Sequence, residues 1–207
     1  MVKLPLPPDP GELQFSPGHD PVLDTDALLW RVHRTNGEHV VPWDRLRHWG
    51  PASTARFDPH EQPPHEQSRG VSYAALSVPT ALAEVFQRTR VINTRRGTPY
   101  LTAWSPARSL TLLDLTGTWP IHVGASHAIN TGRRDHCRAW ARAIHSARPD
   151  LDGLWHHSSM TAGDAVTLFT QAADSFADRP ALSLPLSHPG LRGHLLAAAA
   201  CINYRMV

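Results

Sequence analysis

The order of apolar segments along the chain constrains its fold more than any other feature of the sequence. Short strand-like runs follow one another directly, and helical patterns interrupt them only occasionally. A doubly wound parallel sheet needs strict alternation of strands and helices, whereas successive strands favour an α+β architecture. The length of 207 residues suits one domain with a substantial core. We therefore predict a single α+β domain in which helices flank a mixed or antiparallel β core.

Hydrophobic periodicity places the individual elements. Strands are predicted at residues 28–33, 71–75, 100–104, 109–115, 154–157 and 166–169, with a closing strand or tail at 202–207. Helices are predicted at residues 79–90, 135–147 and 191–200. In the first helix Leu82, Val85 and Phe86 form the expected core stripe, and Glu84 lies beside it.

Two segments lack this periodicity. Residues 1–22 are rich in proline and glycine, which predicts an extended arm ahead of a domain spanning 23–207. Residues 50–70 contain several prolines and histidines and predict one long loop. Long loops in compact domains are more often functional than idle.

Charge and cysteine content exclude several classes of protein. The net charge is +2 and the basic residues are scattered, so the sequence has no basic cluster that would indicate direct nucleic-acid binding. Cys137 and Cys201 form no CxxC pair, and two free thiols in a cytoplasmic protein are the simpler interpretation, although one disulfide stays open. The sequence contains neither a signal-peptide core nor a run long enough to span a membrane.

Familiar catalytic and cofactor motifs are missing. The sequence has no GxGxxG, GxxxxGK[ST], HExxH or GxSxG, which leaves Rossmann dehydrogenases, P-loop NTPases, zincins and α/β-hydrolases unsupported. His60 and His65 lie in a proline-rich loop without helical spacing, and His156 and His157 are adjacent in a predicted strand, so they point to opposite faces. We expect no metal site.

Three stretches of the chain combine polar and aromatic residues suited to chemistry. The first is LWRV, the second runs from ARFDP through GVSYAA into PTALAEVF, and the third is DGLWHHSS. Their candidate functional side chains are, in chain order, Arg31, Arg56, Tyr73, Glu84, Ser158 and Ser159.

In this order the three stretches resemble the RES family, which is named after an arginine, a glutamate and a serine. The resemblance covers about residues 28–170. It implies an ADP-ribosyltransferase-like fold and a toxin that removes NAD⁺ by splitting its nicotinamide–ribose bond. It further implies a DNA-binding antitoxin as the partner, and water, phosphate or, in some members, a protein as the acceptor.

Position by position, the resemblance assigns a role to each candidate. Arg31 matches the family arginine, Glu84 the glutamate and Ser158 the serine, so these three are the expected catalytic residues. Tyr73 matches an aromatic position on the strand before the glutamate helix, and Arg56 a second arginine in the loop. Arg31, Tyr73, Arg56 and Ser158 are thus expected to bind NAD⁺.

The sequence departs from the family pattern at a few positions. Ala55 stands where glycine is common, and His156 and His157 replace a frequent Tyr-Pro pair. Ser159 directly follows Ser158, so either can be the family serine, and both are expected to contact NAD⁺.

The chemistry of NAD⁺ agrees with these residue types. An arginine fork binds pyrophosphate through two hydrogen bonds, and a carboxylate opposes the positive charge that develops on the ribose. An aromatic ring stacks on the cationic nicotinamide, and a serine hydroxyl holds an amide or a ribose hydroxyl. NAD⁺ is the substrate in this hypothesis, and the reaction needs no cofactor or metal.

Three functions stay open at this point. The first is an NAD⁺ glycohydrolase or phosphorylase toxin, the second a mono-ADP-ribosyltransferase with a protein acceptor, and the third a catalytically idle nucleotide-binding module. Release of nicotinamide from NAD⁺ alone separates the first from the others, and labelled NAD⁺ in a lysate reveals a modified protein.

Overall fold

A curled sheet with helices on one face organises the protein, whose computed structural model describes residues 4–207. The strands are β1 (Val22–Leu23), β2 (Leu29–Arg34), β3 (Arg47–Gly50), β4 (His65–Ala75), β5 (Val91–Ile92), β6 (Pro99–Trp104), β7 (Leu110–Asp114), β8 (Gly153–His157), β9 (Asp164–Phe169), β10 (Leu182–Pro185) and β11 (Arg205–Met206). The helices are α1 (Val78–Phe86), α2 (Trp119–His122), α3 (Arg134–Ala147) and α4 (Arg192–Cys201).

Strand pairing confirms the predicted α+β class. Within residues 4–207, nine strands form one sheet in the order β1-β7-β8-β9-β4-β2-β6-β10, with β3 added beside β4. Neighbours are antiparallel except β7 and β8, which run parallel, so the sheet is mixed. The short strands β5 and β11 pair separately.

The two faces of the sheet have different covers, because side chains alternate along each strand. We call one the helical face. It packs α3 against Leu113, Leu154 and Phe169, and α1 and α4 against Val32 and Leu101. The other, which we call the loop face, is covered by irregular segments and includes Leu29, Ala74, Trp104, Leu110, Leu112, Val166 and Leu168.

Burial confirms the apolar stripe predicted for α3, whereas one residue of the stripe predicted for α1 is exposed. In α3 the predicted residues Cys137, Trp140, Ala141 and Ile144 are fully buried. In α1, Val85 is 41% exposed, so its assignment to the core stripe is wrong. The helix instead buries a face that includes Thr80, Ala81, Leu82, Ala83 and Phe86.

Several predicted boundaries are corrected. The loop expected at residues 50–70 is shorter, since β3 ends at Gly50 and β4 begins at His65. The antiparallel pairing of these strands overrides the weak local pattern of their polar residues. The first helix ends at Phe86 rather than at Arg90, whose φ of 51° is left-handed and cannot continue an α-helix.

The described part of the N-terminal arm is irregular, with a short 3₁₀ turn at Pro10–Glu12 and a second turn at Pro17 and Gly18. Leu4 and Leu13 are buried in the same cluster as α3. The indole nitrogen of Trp140 donates to the carbonyl of Pro5 at 2.8 Å. The arm therefore completes the core on the helical face, while residues 1–3 lie outside the described part of the chain.

Two further sequence-based expectations concern thiols and membrane segments. Cys137 is buried and Cys201 is exposed, and both thiols are free. Among residues 4–207, every helix is too short or too polar to cross a bilayer.

Replacing Leu13 by alanine tests the role of the arm. We expect Leu13→Ala to lower the free energy of unfolding by about 2 kcal/mol or more, because it opens a cavity in the core. Leu6→Ala is the matched control, since Leu6 is 62% exposed in the same segment, and it should change stability by no more than about 0.5 kcal/mol. Urea unfolding measures both. Equal effects of the two substitutions would mean that the arm does not pack as described.

Candidate active site

Glu84 and Ser158 lie far apart in the sequence and meet in the fold. Glu84 is in the last turn of α1, and Ser158 begins the loop from β8 to β9. The Oγ atom of Ser158 donates a hydrogen bond to Oε1 of Glu84 at 2.5 Å and accepts from the backbone nitrogens of Met160 and Thr161 at 3.1 and 3.3 Å. Because a hydroxyl has one proton, these bonds aim it at the carboxylate. The structure joins Ser158, and not the half-buried Ser159, to Glu84.

Hydroxyl contacts dock this loop onto the start of α1. Oγ1 of Thr80 lies 3.0 Å from Oγ1 of Thr161, and Ser77 donates to Thr80 at 2.9 Å. A Cβ atom on Gly163 would lie 2.6 Å from Oγ1 of Thr80, so only glycine permits this close approach. The docking keeps Ser158 within reach of the other end of the same helix.

The second carboxylate oxygen of Glu84 is linked to an arginine through an amide. Nε2 of Gln87 lies 3.4 Å from Oε2 of Glu84 and donates to the Glu84 carbonyl at 2.7 Å. Oε1 of Gln87 in turn accepts from Arg134, at the start of α3, at 2.8 Å. Within residues 4–207 no ion pair joins Glu84 to a basic side chain. Its carboxylate is therefore available to a ligand.

Tyr73 contributes an aromatic wall on the helical face. It lies on β4 opposite Thr167 of β9, and its ring packs against the cluster under α3. Its hydroxyl is buried without a hydrogen-bond partner among the described residues. Burial raises the pKa of the phenol well above its usual value, and the nearby Asp58 and Glu84 carboxylates raise it further. The ring therefore stays neutral close to Glu84.

Arg56 reaches the same face from the loop between β3 and β4. Its guanidinium donates to the carbonyl of Gly132 and lies 3.5 Å from the Sγ atom of Cys137, at the start of α3. The next residue, Phe57, is fully buried in the core and anchors the loop. Arg56 and Arg134 thus lie at the same end of α3 as the Glu84 contact.

His156 is a buried neutral group beside Arg56. Its Nε2 atom lies 2.9 Å from Oγ1 of Thr167, and its ring centroid lies 4.5 Å from that of Phe57. Burial lowers the pKa of His156 to about 4, and the charge of Arg56 lowers it further. His157 points to the opposite side, next to Asp164, which confirms that the two histidines occupy different faces.

Arg31 has its hydrogen-bond partners away from the contact of Glu84 with Ser158, and its expected place in one centre with these two residues stays a prediction. It lies on β2 opposite Thr102, and its Nη1 atom donates to Oγ of Ser72 at 2.6 Å and to the carbonyls of Trp43 and Arg45 at 3.2 and 3.3 Å. These partners lie on the loop face. Burial lowers the pKa of Arg31 to about 10.

Strand alternation explains this separation. Ser72 and Tyr73 are adjacent on β4 and therefore point to opposite faces of the sheet. Arg31 contacts Ser72, whereas Tyr73 faces the helices. We accordingly use the term candidate site for Glu84, Ser158, Tyr73 and Arg56.

Sequence reasoning missed the connecting residues of the site. Gln87 could have been found from its spacing, because a residue three positions after Glu84 lies on the same face of a helix. No pattern in the sequence pointed to Asn130. Its side chain accepts a hydrogen bond from the backbone nitrogen of His157 at 3.0 Å and donates one to the carbonyl of Leu115 at 2.8 Å.

Two cavities of about 620 and 510 Å³ lie away from the candidate site. The first opens beside α4 and β11, and the second lies next to Arg34 and Gly97. Neither brings together a carboxylate and a fixed hydroxyl as Glu84 and Ser158 do. Convergent polar contacts, rather than depth, therefore distinguish the candidate site.

Comparison with known proteins identifies the family. The RES domain profile matches residues 28–187, which is most of the chain. The chain belongs to the RES-domain family. Its fold is similar to that of a chain in the crystal structure of the M. tuberculosis MbcT–MbcA toxin–antitoxin complex, with a TM-score of 0.54 and 16% sequence identity over 85% of this chain and 92% of that chain. No curated protein matches the sequence.

The position of Arg31 in the RES domain of this chain leads to a prediction. Arg31→Lys keeps the charge but has a shorter side chain and loses the guanidinium, whose Nη1 atom lies within hydrogen-bond distance of three oxygen atoms. We expect a loss of about 1–3 kcal/mol in stability and an unchanged KM for NAD⁺. Thermal unfolding and steady-state kinetics measure the two quantities. A strongly raised KM in a variant of normal stability would return Arg31 to the site.

A second prediction concerns acid stability. The pKa of His156 is about 4 in the fold and 6.5 in the unfolded reference, so the unfolded chain binds the extra proton between these values. Stability should therefore be intact above about pH 6.5 and fall as the pH drops towards 4, by up to about 1.4 kcal/mol per pH unit for this residue. His156→Gln should reduce that slope. Urea unfolding at pH 7.5 and 5 tests this, and identical slopes for both proteins would contradict it.

Proposed function

We propose that the protein cleaves the nicotinamide–ribose bond of NAD⁺ and is the toxin of a toxin–antitoxin pair. Membership of the RES-domain family supports the proposal. The observation that carries it is the contact of Glu84 with Ser158, in which a buried hydroxyl orients a carboxylate that lacks a basic partner among residues 4–207.

In this reaction the bond between the ribose C1 atom and the nicotinamide nitrogen breaks. The bonding electron pair leaves with neutral nicotinamide, and positive charge develops on the ribose. The carboxylate of Glu84 opposes that charge, while the hydroxyl bond from Ser158 fixes its orientation before the substrate arrives. Addition of water then gives ADP-ribose and a proton, and addition of phosphate gives the corresponding phosphate ester.

Tyr73 and Arg56 supply binding. The ring of Tyr73 offers a neutral aromatic face to the cationic nicotinamide. Arg56 offers a guanidinium to the pyrophosphate from the helical face, and the substrate contact expected of Arg31 stays a prediction. Arg134 adds a second positive charge near the start of α3. NAD⁺ is the substrate, and we propose neither a further cofactor nor a metal.

The proposed partner is an antitoxin protein. The chain of similar fold belongs to a toxin–antitoxin complex, and a partner that covers the candidate site would restrain the activity. The scattered basic residues of this chain favour DNA binding by the antitoxin rather than by the toxin.

Replacing Glu84 by glutamine is the direct test. Glutamine keeps an oxygen that accepts the bond from Ser158 but loses the negative charge. We expect turnover of NAD⁺ to fall by about 10²–10³-fold, and the free energy of unfolding to change by only about 0.5 kcal/mol. Nicotinamide release and thermal unfolding measure the two effects, with and without inorganic phosphate to identify the acceptor.

Val85→Ala is the matched control, because Val85 is exposed on the same helix turn. It should leave both turnover and stability close to those of the wild type. Near-wild-type turnover in folded Glu84→Gln would remove Glu84 from the mechanism. Absence of nicotinamide release by the wild type, together with a labelled protein after incubation with NAD⁺ and lysate, would replace the proposal by ADP-ribosylation of a protein.

A further inference from the structure

The parallel strands β7 and β8 separate at the point where β8 leads into Ser158. Leu115 directly follows β7, and its backbone nitrogen donates to the carbonyl of Trp155 at 2.8 Å. In a regular parallel ladder the next hydrogen bond joins the backbone nitrogen of His157 to the carbonyl of Leu115. In this structure each of those two atoms bonds instead to the side chain of Asn130. One asparagine thus takes the place of a backbone hydrogen bond beside the candidate site.

The amide of Asn130 bridges the two strands as a peptide group would. Its oxygen accepts from the backbone nitrogen of His157 at 3.0 Å, and its nitrogen donates to the carbonyl of Leu115 at 2.8 Å. These partners fix the orientation of the amide, because a backbone N–H only donates and a carbonyl only accepts. Asn130 is 3% exposed. Loss of its amide would therefore leave two backbone groups unpaired or let the strands close on each other.

Contacts with the core under α3 fix Asn130 from the other side. Asn130 is the last residue of the 3₁₀ turn at His127–Asn130, and the preceding Ile129 is fully buried in the same cluster as α3. The thiol of Cys137, in the first turn of α3, donates to the carbonyl of Ile129 at 3.2 Å. The place of the amide is therefore set by the core, independently of the two strands that it joins.

Ser158 directly follows the residue that Asn130 binds. Its own backbone nitrogen donates to the carbonyl of Gly163 at 2.8 Å, on the side of β9. The main chain next to Ser158 is thus held from both sides, by Asn130 through His157 and by Gly163. Because Oγ of Ser158 donates to Oε1 of Glu84 at 2.5 Å, a small shift of this main chain would change how the hydroxyl meets the carboxylate.

We propose that Asn130 is a positioning residue for the candidate site: its amide holds β7 and β8 apart next to Ser158 and so sets the direction in which the Ser158 hydroxyl meets Glu84. This proposal rests on the function proposed above. Asn130 acts through the main chain of His157 and not on the substrate. The role requires an amide, because the side chain must offer one acceptor and one donor at a fixed spacing.

The bridge can be tested by NMR without any activity. In the wild type, scalar coupling across the hydrogen bond should connect the backbone nitrogen of His157 with the side-chain carbonyl carbon of Asn130. In Asn130→Leu the amide proton of His157 should exchange faster with solvent and the backbone signals of Ser158 should shift. Ile129→Val is the matched control, since it alters a buried neighbour in the same turn, and it should leave both unchanged. Coupling of His157 to the carbonyl of Leu115, or unchanged signals in Asn130→Leu, would overturn the proposal.

Kinetics test the positioning role. Asn130→Leu should lower kcat for cleavage of NAD⁺ by up to about 10²-fold with a smaller change in KM, because a displaced Ser158 no longer orients Glu84. Asn130→Asp keeps the acceptor for His157 and should retain more turnover than Asn130→Leu. Asn130→Ala, which adds neither bulk nor charge, replaces the leucine variant if that protein does not fold. Wild-type turnover in folded Asn130→Leu or Asn130→Ala would contradict the role.

A double variant separates positioning from a general loss of stability. If Asn130 acts through Ser158, Asn130→Leu should lower kcat little further in a Ser158→Ala background, since the hydroxyl to be aligned is already absent. Losses that multiply would mean that Asn130 acts independently of Ser158 and would overturn the proposal. If the wild type does not release nicotinamide from NAD⁺, the proposed function fails, while the NMR measurements still decide whether Asn130 holds the main chain at Ser158.

Discussion

The alternation of side chains along β4 is the constraint on which the rest of the site depends. This strand runs through the middle of the sheet, with β9 on one side and β2 and β3 on the other. Its pleat sends Ser72 to the loop face and Tyr73 to the helical face. Ser72 holds Arg31, and Tyr73 borders Glu84. One strand thus directs the serine that binds Arg31 and the tyrosine near Glu84 to opposite faces of the sheet.

A second constraint is the burial of charged groups next to that chemistry. Asp58 is inaccessible to solvent, and it is satisfied by an arginine, a histidine and a backbone amide. A buried ion of this kind is tolerable only when such partners replace water. The segment from Phe57 to His60 is therefore buried in the protein interior and is not a surface loop.

The candidate site also depends on how two distant segments are docked. Threonine and serine hydroxyls tie the start of α1 to the loop that follows β8, and Gly163 allows the close approach. At the other end of α1, Glu84 meets Ser158 as a consequence. The helix works as a rigid spacer whose ends are fixed by independent contacts, so the carboxylate is oriented before a substrate binds.

The sequence by itself determined the fold class, the α3 stripe and the identity of Glu84, Ser158, Tyr73 and Arg56 as candidates, because residue type, periodicity and order in the chain are local properties. It misplaced Val85 and missed Gln87 and Asn130, and the role that it assigns to Arg31 stays a prediction. Only the tertiary structure decided which face each strand presents, that residues 65–70 extend β4, and that Ser158 rather than Ser159 reaches Glu84. The physical reason is that pairing register and docking depend on contacts between segments far apart in the chain, and no local pattern specifies such contacts.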